Sequence, residues 1–126
     1  MNLVDSCGWL QYFSDGPNAD FYADVIEHVE TLIVPSICLL EVFKKVHNDR
    51  GEDAAIEAVA LMNQGRVVDL DASITVSAAK IGAERKLPLA DSVILATAKA
   101  GGASTWMQDA DFEGIDGVKY IPRRNK

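Results

Sequence analysis

Residues 32–43 read Leu32-Ile33-Val34-Pro35-Ser36-Ile37-Cys38-Leu39-Leu40-Glu41-Val42-Phe43. The first three are apolar and largely β-branched, as a buried strand requires. Pro35 has no backbone donor to offer a neighbouring strand, so it stops the run. Ser36 is of the type that caps a helix N-terminus. Leu39, Leu40, Phe43 and Val46 then recur at helical spacing and predict the apolar face of a helix. A strand thus feeds directly into a helix. Such a unit, repeated, builds a parallel sheet covered by helices rather than a meander of hairpins.

The same unit recurs on both sides. Upstream, Asn2-Leu3-Val4 is a short strand ending at Asp5, and Ser6 to Phe13 is helical until Ser14-Asp15-Gly16-Pro17-Asn18 breaks it. Asn18 or Asp20 caps a second helix that runs to about His28. Downstream, Arg50-Gly51-Glu52 is a turn. Asp53 caps a helix carrying Ile56, Val59 and Ala60, closed by Gly65. Val67-Val68 with Leu70 is a third strand. Ala72 to Lys86 is a helix with Ile74, Ala78 and Ile81 facing the core. Leu87-Pro88 ends it, and Leu89 to Ala100 forms another, closed by Gly101-Gly102. Ala103 to Met107 and Val118 to Ile121 are the fourth and fifth strands. The fold class is α/β: a five-stranded parallel sheet with helices on both faces.

Composition narrows the function. The 126 residues suffice for one domain with its own core, and 48% hydrophobic with 25% charged residues excludes a disordered chain. The longest uncharged run, Thr31 to Leu40, is ten residues and contains Pro35, too short for a membrane span. Met1-Asn2-Leu3-Val4-Asp5 has no basic region, so no secretory signal is expected, and Cys7 with Cys38 makes no disulfide framework. A cytoplasmic protein without membrane contact is the expectation. The net charge of −7 repels phosphate backbones, so any work on nucleic acid needs a bound cation or a local basic patch.

The acids are placed unevenly. In an open parallel sheet, ligands bind beyond the carboxyl ends of the strands. Asp5 follows the first strand, and Asp109 and Asp111 follow the fourth. Glu41 lies among Leu39, Leu40, Val42 and Phe43, and Asp91 lies among Leu89, Ala90, Ser92 and Val93. Acids in such surroundings need a partner or a metal. Oxygen ligands without His or Cys select a hard ion, Mg²⁺ or Mn²⁺. Taken singly, each acid also reads as a helix cap, a turn residue or a solvated surface position. His28 and His47 fall outside these segments and read as solvated.

Four segments in order, Leu3-Val4-Asp5-Ser6, Pro35-Ser36 with Glu41-Val42, Leu87-Pro88-Leu89-Ala90-Asp91-Ser92, and Asp109-Ala110-Asp111-Phe112, resemble the PIN-domain family. Within that family they are most similar to the VapC-type toxins of bacterial toxin–antitoxin pairs. The resemblance covers essentially the whole chain and implies a single PIN domain over residues 1–126. It implies a metal-dependent endoribonuclease, silenced by a cognate antitoxin protein and paired into a homodimer. Asp5, Glu41, Asp91 and Asp109 fall on the family's four acidic positions, with Ser6, Asp111 and Ser92 as accessory residues. Asp5 and Asp91 would hold Mg²⁺ or Mn²⁺ directly. Asp109 and Glu41 would each be a ligand through water or a proton acceptor for the attacking water.

Two positions depart from the family pattern. Met107 stands where Thr is common, so Gln108 or water takes over the hydroxyl's role, or activity is reduced; Cys7 replaces a common Ser. An alternative reading is therefore a catalytically weakened PIN-like module that only binds RNA or a partner. Proteins that phosphorylate an aspartate fit less well: Asp69 has no matching Lys after the fifth strand, and Cys7 stands where their phosphatases need Asp. Trp9 and Tyr12, close to Phe13 on the first helix, are candidates for the antitoxin surface. Lys44, Lys45, Arg85 and Lys86 flank the acidic segments as candidate phosphate contacts. The closing Arg123-Arg124-Asn125-Lys126 reads as a mobile, solvated tail.

Overall fold

A computed structural model describes residues 1–124. The elements follow in the order β1 (Asn2–Val4), α1 (Ser6–Phe13), α2 (Ala19–Ile26), β2 (Leu32–Pro35), α3 (Ser36–Arg50), α4 (Glu52–Met62), β3 (Arg66–Val68), α5 (Ala72–Arg85), α6 (Leu89–Ala100), β4 (Ser104–Met107) and β5 (Val118–Tyr120). Short 3₁₀ turns at Val29–Thr31 and Ala110–Phe112 complete the set. All strand pairs are parallel and the strand order is β3-β2-β1-β4-β5. The chain winds outward from β1 to β3, then crosses to β4 on the other side of β1. The reversal leaves a crevice between the carboxyl ends of β1 and β4, where ligands bind in sheets of this kind.

Successive strand residues point to opposite faces. All four residues of β2 are buried, as are Leu3 and Val4, so both faces of the sheet are covered. One apolar cluster joins Leu3, Val4 and Ile33 to Trp9, Tyr22, Val42, Ala55 and Met62 from α1–α4. A second joins Ile74, Ala78 and Ile81 of α5 to Val93 and Leu95 of α6, Met107 of β4 and Phe112. Among the described residues no helix is long and apolar enough to cross a membrane.

The α3 face differs from the sequence reading, and the α4 face is set by the same packing. On α3 the buried stripe is Cys38, Val42 and Val46, while Leu40 is 63% exposed. On α4 it is Ala55, Ala58 and Met62, while Ile56 is 52% exposed. The two helices pack directly on each other, and small alanines admit the closer approach; the bulky residues turn outward. Gly51, at φ 92°, is the tight link between them, and no side chain caps α4, so Asp53 does not have the expected role. Pro35, rather than Ser36, is the residue that precedes the first turn of α3.

Candidate active site

Asp5 ends β1 and begins α1. Its Oδ1 accepts from the Gly8 backbone N–H at 2.8 Å, which caps the helix and fixes the carboxylate at the sheet edge. Its own N–H donates to the Trp106 carbonyl at 3.3 Å, tying the end of β1 to β4. Asp5 is only 4% exposed. Burial raises its pKa to about 7, the Gly8 N–H opposes the rise, Asp91 adds to it, Arg123 lowers it and Asp109 raises it again. Asp91, half-buried in the first turn of α6, is pushed up to about 6 by burial, then by the charges of Asp109, Glu41 and Asp111. The fold places the four expected acids, and Asp111 with them, close enough to influence one another's charge. Burial is the larger cause of the rise at Asp91, and the gathering of like charge adds to it.

The remaining candidates fall into place around them. The Ser6 hydroxyl donates to Glu41 Oε1 at 2.6 Å and so steers Glu41 from α1 across to α3. Asp109 Oδ1 accepts from the Asp111 N–H at 3.0 Å and starts the 3₁₀ turn; Asp111 itself is exposed. Ser92 does not reach into the group. It is 3% exposed, and its hydroxyl donates to the Pro88 carbonyl at 3.0 Å, holding the first turn of α6.

A hard divalent ion suits the donor set, because every candidate ligand is a carboxylate and two of them hold protons more tightly than an isolated acid. The expected convergence of oxygens within one ion's reach is not met as the side chains stand. Among the described residues no three acids, histidines or cysteines form a ready-made cage. Three of the candidates are turned to protein donors instead, Asp5 to Gly8, Glu41 to Ser6 and Asp109 to the Asp111 N–H. Each carboxylate retains a second oxygen for another partner.

Several expectations need correction. Trp9 is fully buried and stacks on Phe13 with ring centroids 5.7 Å apart, so it belongs to the core and offers no partner surface. Tyr12 keeps partial exposure and donates its hydroxyl to Glu27 at 3.2 Å. Met107 is also fully buried, packed in the second cluster, and Gln108 spends its carbonyl on Asn18 at 2.8 Å. Neither replaces a hydroxyl among the acids. Lys45 pairs with Asp49 at 3.3 Å, whereas Lys44 lines a shallow groove with Glu41 and Leu40. The tail is no free appendage as far as Arg124, whose Nε donates to Asn18 Oδ1 at 2.7 Å; Asn125 and Lys126 lie outside the described residues.

Four residues near the site were missed in the sequence. Tyr22, on α2, is buried with its hydroxyl unpartnered and feels the charge of Asp5 and Cys7. Cys38 is fully buried, which raises its thiol pKa, and its thiol donates to the Val4 carbonyl. Asn18 and Arg123 approach from the two ends of the chain. None of them carries a local signal, since each depends on a partner distant in sequence.

The PIN domain family model matches residues 3–118. Among solved structures, the chain is similar to a toxin–antitoxin complex from Klebsiella pneumoniae, with TM-score 0.80 and 22% identity over 94% of this chain and 96% of that one. It is similar to a sarcin–ricin-loop-cleaving toxin of Mycobacterium tuberculosis, with TM-score 0.76 and 18% identity over 92% and 95%. It is also similar to a DNA-bound VapBC from Salmonella typhimurium, with TM-score 0.75 and 17% identity over 97% and 98%. No curated protein sequence matches it. At these identities the structures speak for the fold, while the family match spans both strand-end acids, Asp5 and Asp109, and the two helix acids between them. The chain belongs to the PIN domain family.

Proposed function

We propose that this chain is a single PIN domain acting as a metal-dependent endoribonuclease, the toxin of a toxin–antitoxin pair. One observation carries the reading: Asp5, buried at the end of β1, feels the charges of Asp91 and Asp109, and Asp91 feels those of Asp109, Glu41 and Asp111, with both Asp5 and Asp91 holding protons above the usual carboxylate range. A fold gains nothing in stability from such a pair unless a cation joins it. The family membership and the antitoxin-bound, RNA-cleaving relatives make a ribonuclease the activity of choice.

In this reading Asp5 and Asp91 hold Mg²⁺ or Mn²⁺, with Asp109 contributing directly or through water. When bound, the ion supplies positive charge against the phosphoryl transition state and makes water a better nucleophile near neutral pH. Glu41, oriented by Ser6, is the group placed to accept the proton of the attacking water. Gly8 and the α1 cap hold Asp5 in register, and buried Ser92 keeps the first turn of α6, and therefore Asp91, rigid. The bound cation also answers the charge of −7 that otherwise repels RNA. For partners, the half-exposed Tyr12 and the groove of Phe13, Val46, Arg50 and Leu61 between α1, α3 and α4 are the antitoxin surface. A second copy would cover the apolar cavity of about 480 Å³ near exposed Leu70 and Leu89.

The deciding experiment is RNA cleavage with Mg²⁺ or Mn²⁺ against EDTA, for wild type and Asp91→Asn. Cleavage should need the ion and fall by orders of magnitude in the folded variant. Undiminished cleavage by Asp91→Asn, in a preparation free of other nucleases, would sink the assignment. Binding of RNA with no cleavage by wild type would favour the weakened module.

A further inference from the structure

The described chain ends in a knot, and the knot is built from buried groups. The Asn18 side chain, 1% exposed, donates to Gln108 Oε1 at 2.8 Å and to the Pro122 carbonyl at 3.1 Å, and accepts from Arg124 Nε at 2.7 Å. Its backbone N–H donates to Gln11 Oε1 at 3.0 Å. Gln108 is itself 5% exposed and immediately precedes Asp109. The Ile121 N–H donates to the Met107 carbonyl at 3.0 Å, so the segment is pinned on both sides of one residue, Arg123. A buried amide network is costly unless every member is satisfied, and this one is satisfied by groups about a hundred positions apart.

Arg123 is the residue between the pins, and it is exposed. Among the described residues the one ion pair is Lys45 with Asp49, so the Arg123 guanidinium is not committed to a carboxylate. Its position is nevertheless defined: Pro122 and Arg124 on either side of it are bonded to Asn18, which is bonded in turn to Gln108 next to Asp109, and its charge is felt at Asp5, Cys7 and Tyr22. These three groups line the end of β1 and the faces of α1 and α2 beside it. The other basic candidates differ. Lys44, Arg85 and Lys86 are exposed on helix surfaces or ends, and none is held from both sides by buried bonds.

We infer that the Asn18 knot holds Arg123 beside the acidic site as a fixed cation that binds a phosphate of the RNA substrate. The inference rests on the nuclease reading for the identity of that substrate. A guanidinium offers a planar fork of donors that matches phosphate oxygens two at a time. Mounted beside carboxylates that repel the backbone, it would draw the strand into the site and set which phosphate lies over Asp5 and Asp91. Asn18 is then a positioning residue that acts through Arg123.

The test uses the full chain and three variants, Arg123→Ala, Arg123→Lys and Asn18→Ala. The probe is a fluorescently labelled single-stranded oligoribonucleotide, titrated at several salt concentrations with Ca²⁺ in place of Mg²⁺; cleavage of the same RNA is followed with Mg²⁺, and urea unfolding checks each fold. Arg123→Ala should unfold like wild type, bind RNA about tenfold more weakly, and lose about 0.7 from the slope of log affinity against log salt. Arg123→Lys should keep the slope and recover part of the affinity. Asn18→Ala should weaken binding, with the loss falling mainly on KM. Unchanged affinity and slope in Arg123→Ala, with wild type cleaving normally, would overturn this inference alone. Faster cleavage by Arg123→Ala would also overturn it, since Arg123 would then be occupying the site rather than serving it. An Arg123-dependent salt slope in a wild type that never cleaves would remove the nuclease reading and leave Arg123 as an RNA contact.

Discussion

Asp5 carries two roles that pull in opposite directions. Its carboxylate caps α1 through the Gly8 N–H, yet burial and the neighbouring acids raise its pKa to about 7. Below about pH 4 the group is protonated folded and unfolded alike, and the penalty is absent. As pH rises towards 7 the unfolded chain releases this proton first, so stability falls across that window and the penalty is complete above it. Without metal, Asp5→Asn keeps a capping oxygen and should raise stability at pH 8 by about 1–3 kcal/mol, with no gain at pH 4. Urea unfolding in EDTA at the two pH values checks this; a loss at pH 8 would make Asp5 a structural cap. Met107 makes the opposite point. Its side chain is packed among Leu95 and Phe112 with no exposure, so Met107→Thr, which restores the family's hydroxyl, should cost about 2–4 kcal/mol through a cavity and a buried polar group. Thermal unfolding measures it, and an unchanged Tm would mean that the hydroxyl finds a partner after all.

At the scale of elements, the site depends on how closely α1 lies on its neighbours. A Cβ at Gly8 would stand 2.5 Å from Val4 Cγ1 and 2.6 Å from Tyr22 Cε1, both side chains of buried residues. Neither can move without disturbing the core, so Gly8→Ala should destabilise by about 1–3 kcal/mol. It should also lower cleavage in the folded fraction, because the Gly8 N–H that aims Asp5 would shift. Gly51→Ala is the comparison: a Cβ there meets nothing within 4 Å, so any loss reports the φ of 92° alone. Circular dichroism melts of both variants separate contact from backbone strain. The helix faces carry a related lesson. Leu39, Leu40 and Phe43 have helical spacing, but spacing defines a stripe only up to rotation. Packing against the small alanines of α4 selected Cys38, Val42 and Val46, and left Leu40 to solvent.

For the whole molecule, metal, pH and stability are linked through one crevice. If Asp5 and Asp91 bind the ion, Mg²⁺ or Mn²⁺ at 100 times its dissociation constant should stabilise wild type by about 2.7 kcal/mol, and most of that gain should vanish in Asp91→Asn. Equal stabilisation of the variant, followed by denaturant unfolding, would place the ion elsewhere. Much of the fold was legible in the chain because strand and helix periodicities are local. Leu32-Ile33-Val34 before Pro35, and the acids Asp5 and Asp109 just past their strands, can be read within windows of a few residues. Parallel order then follows from the strand–helix alternation, and the strand ends from that. What only the tertiary structure decided is what depends on distant partners. Trp9 is core because α1 is roofed by other elements, Glu41 is steered by Ser6 from 35 positions away, and Arg124 is tied to Asn18 across 106. Contacts of that separation leave no period or spacing in the sequence. Their geometry is set by the packing of the helices and the C-terminal segment on the sheet, and the same packing ties the residues on either side of Arg123 to Asn18.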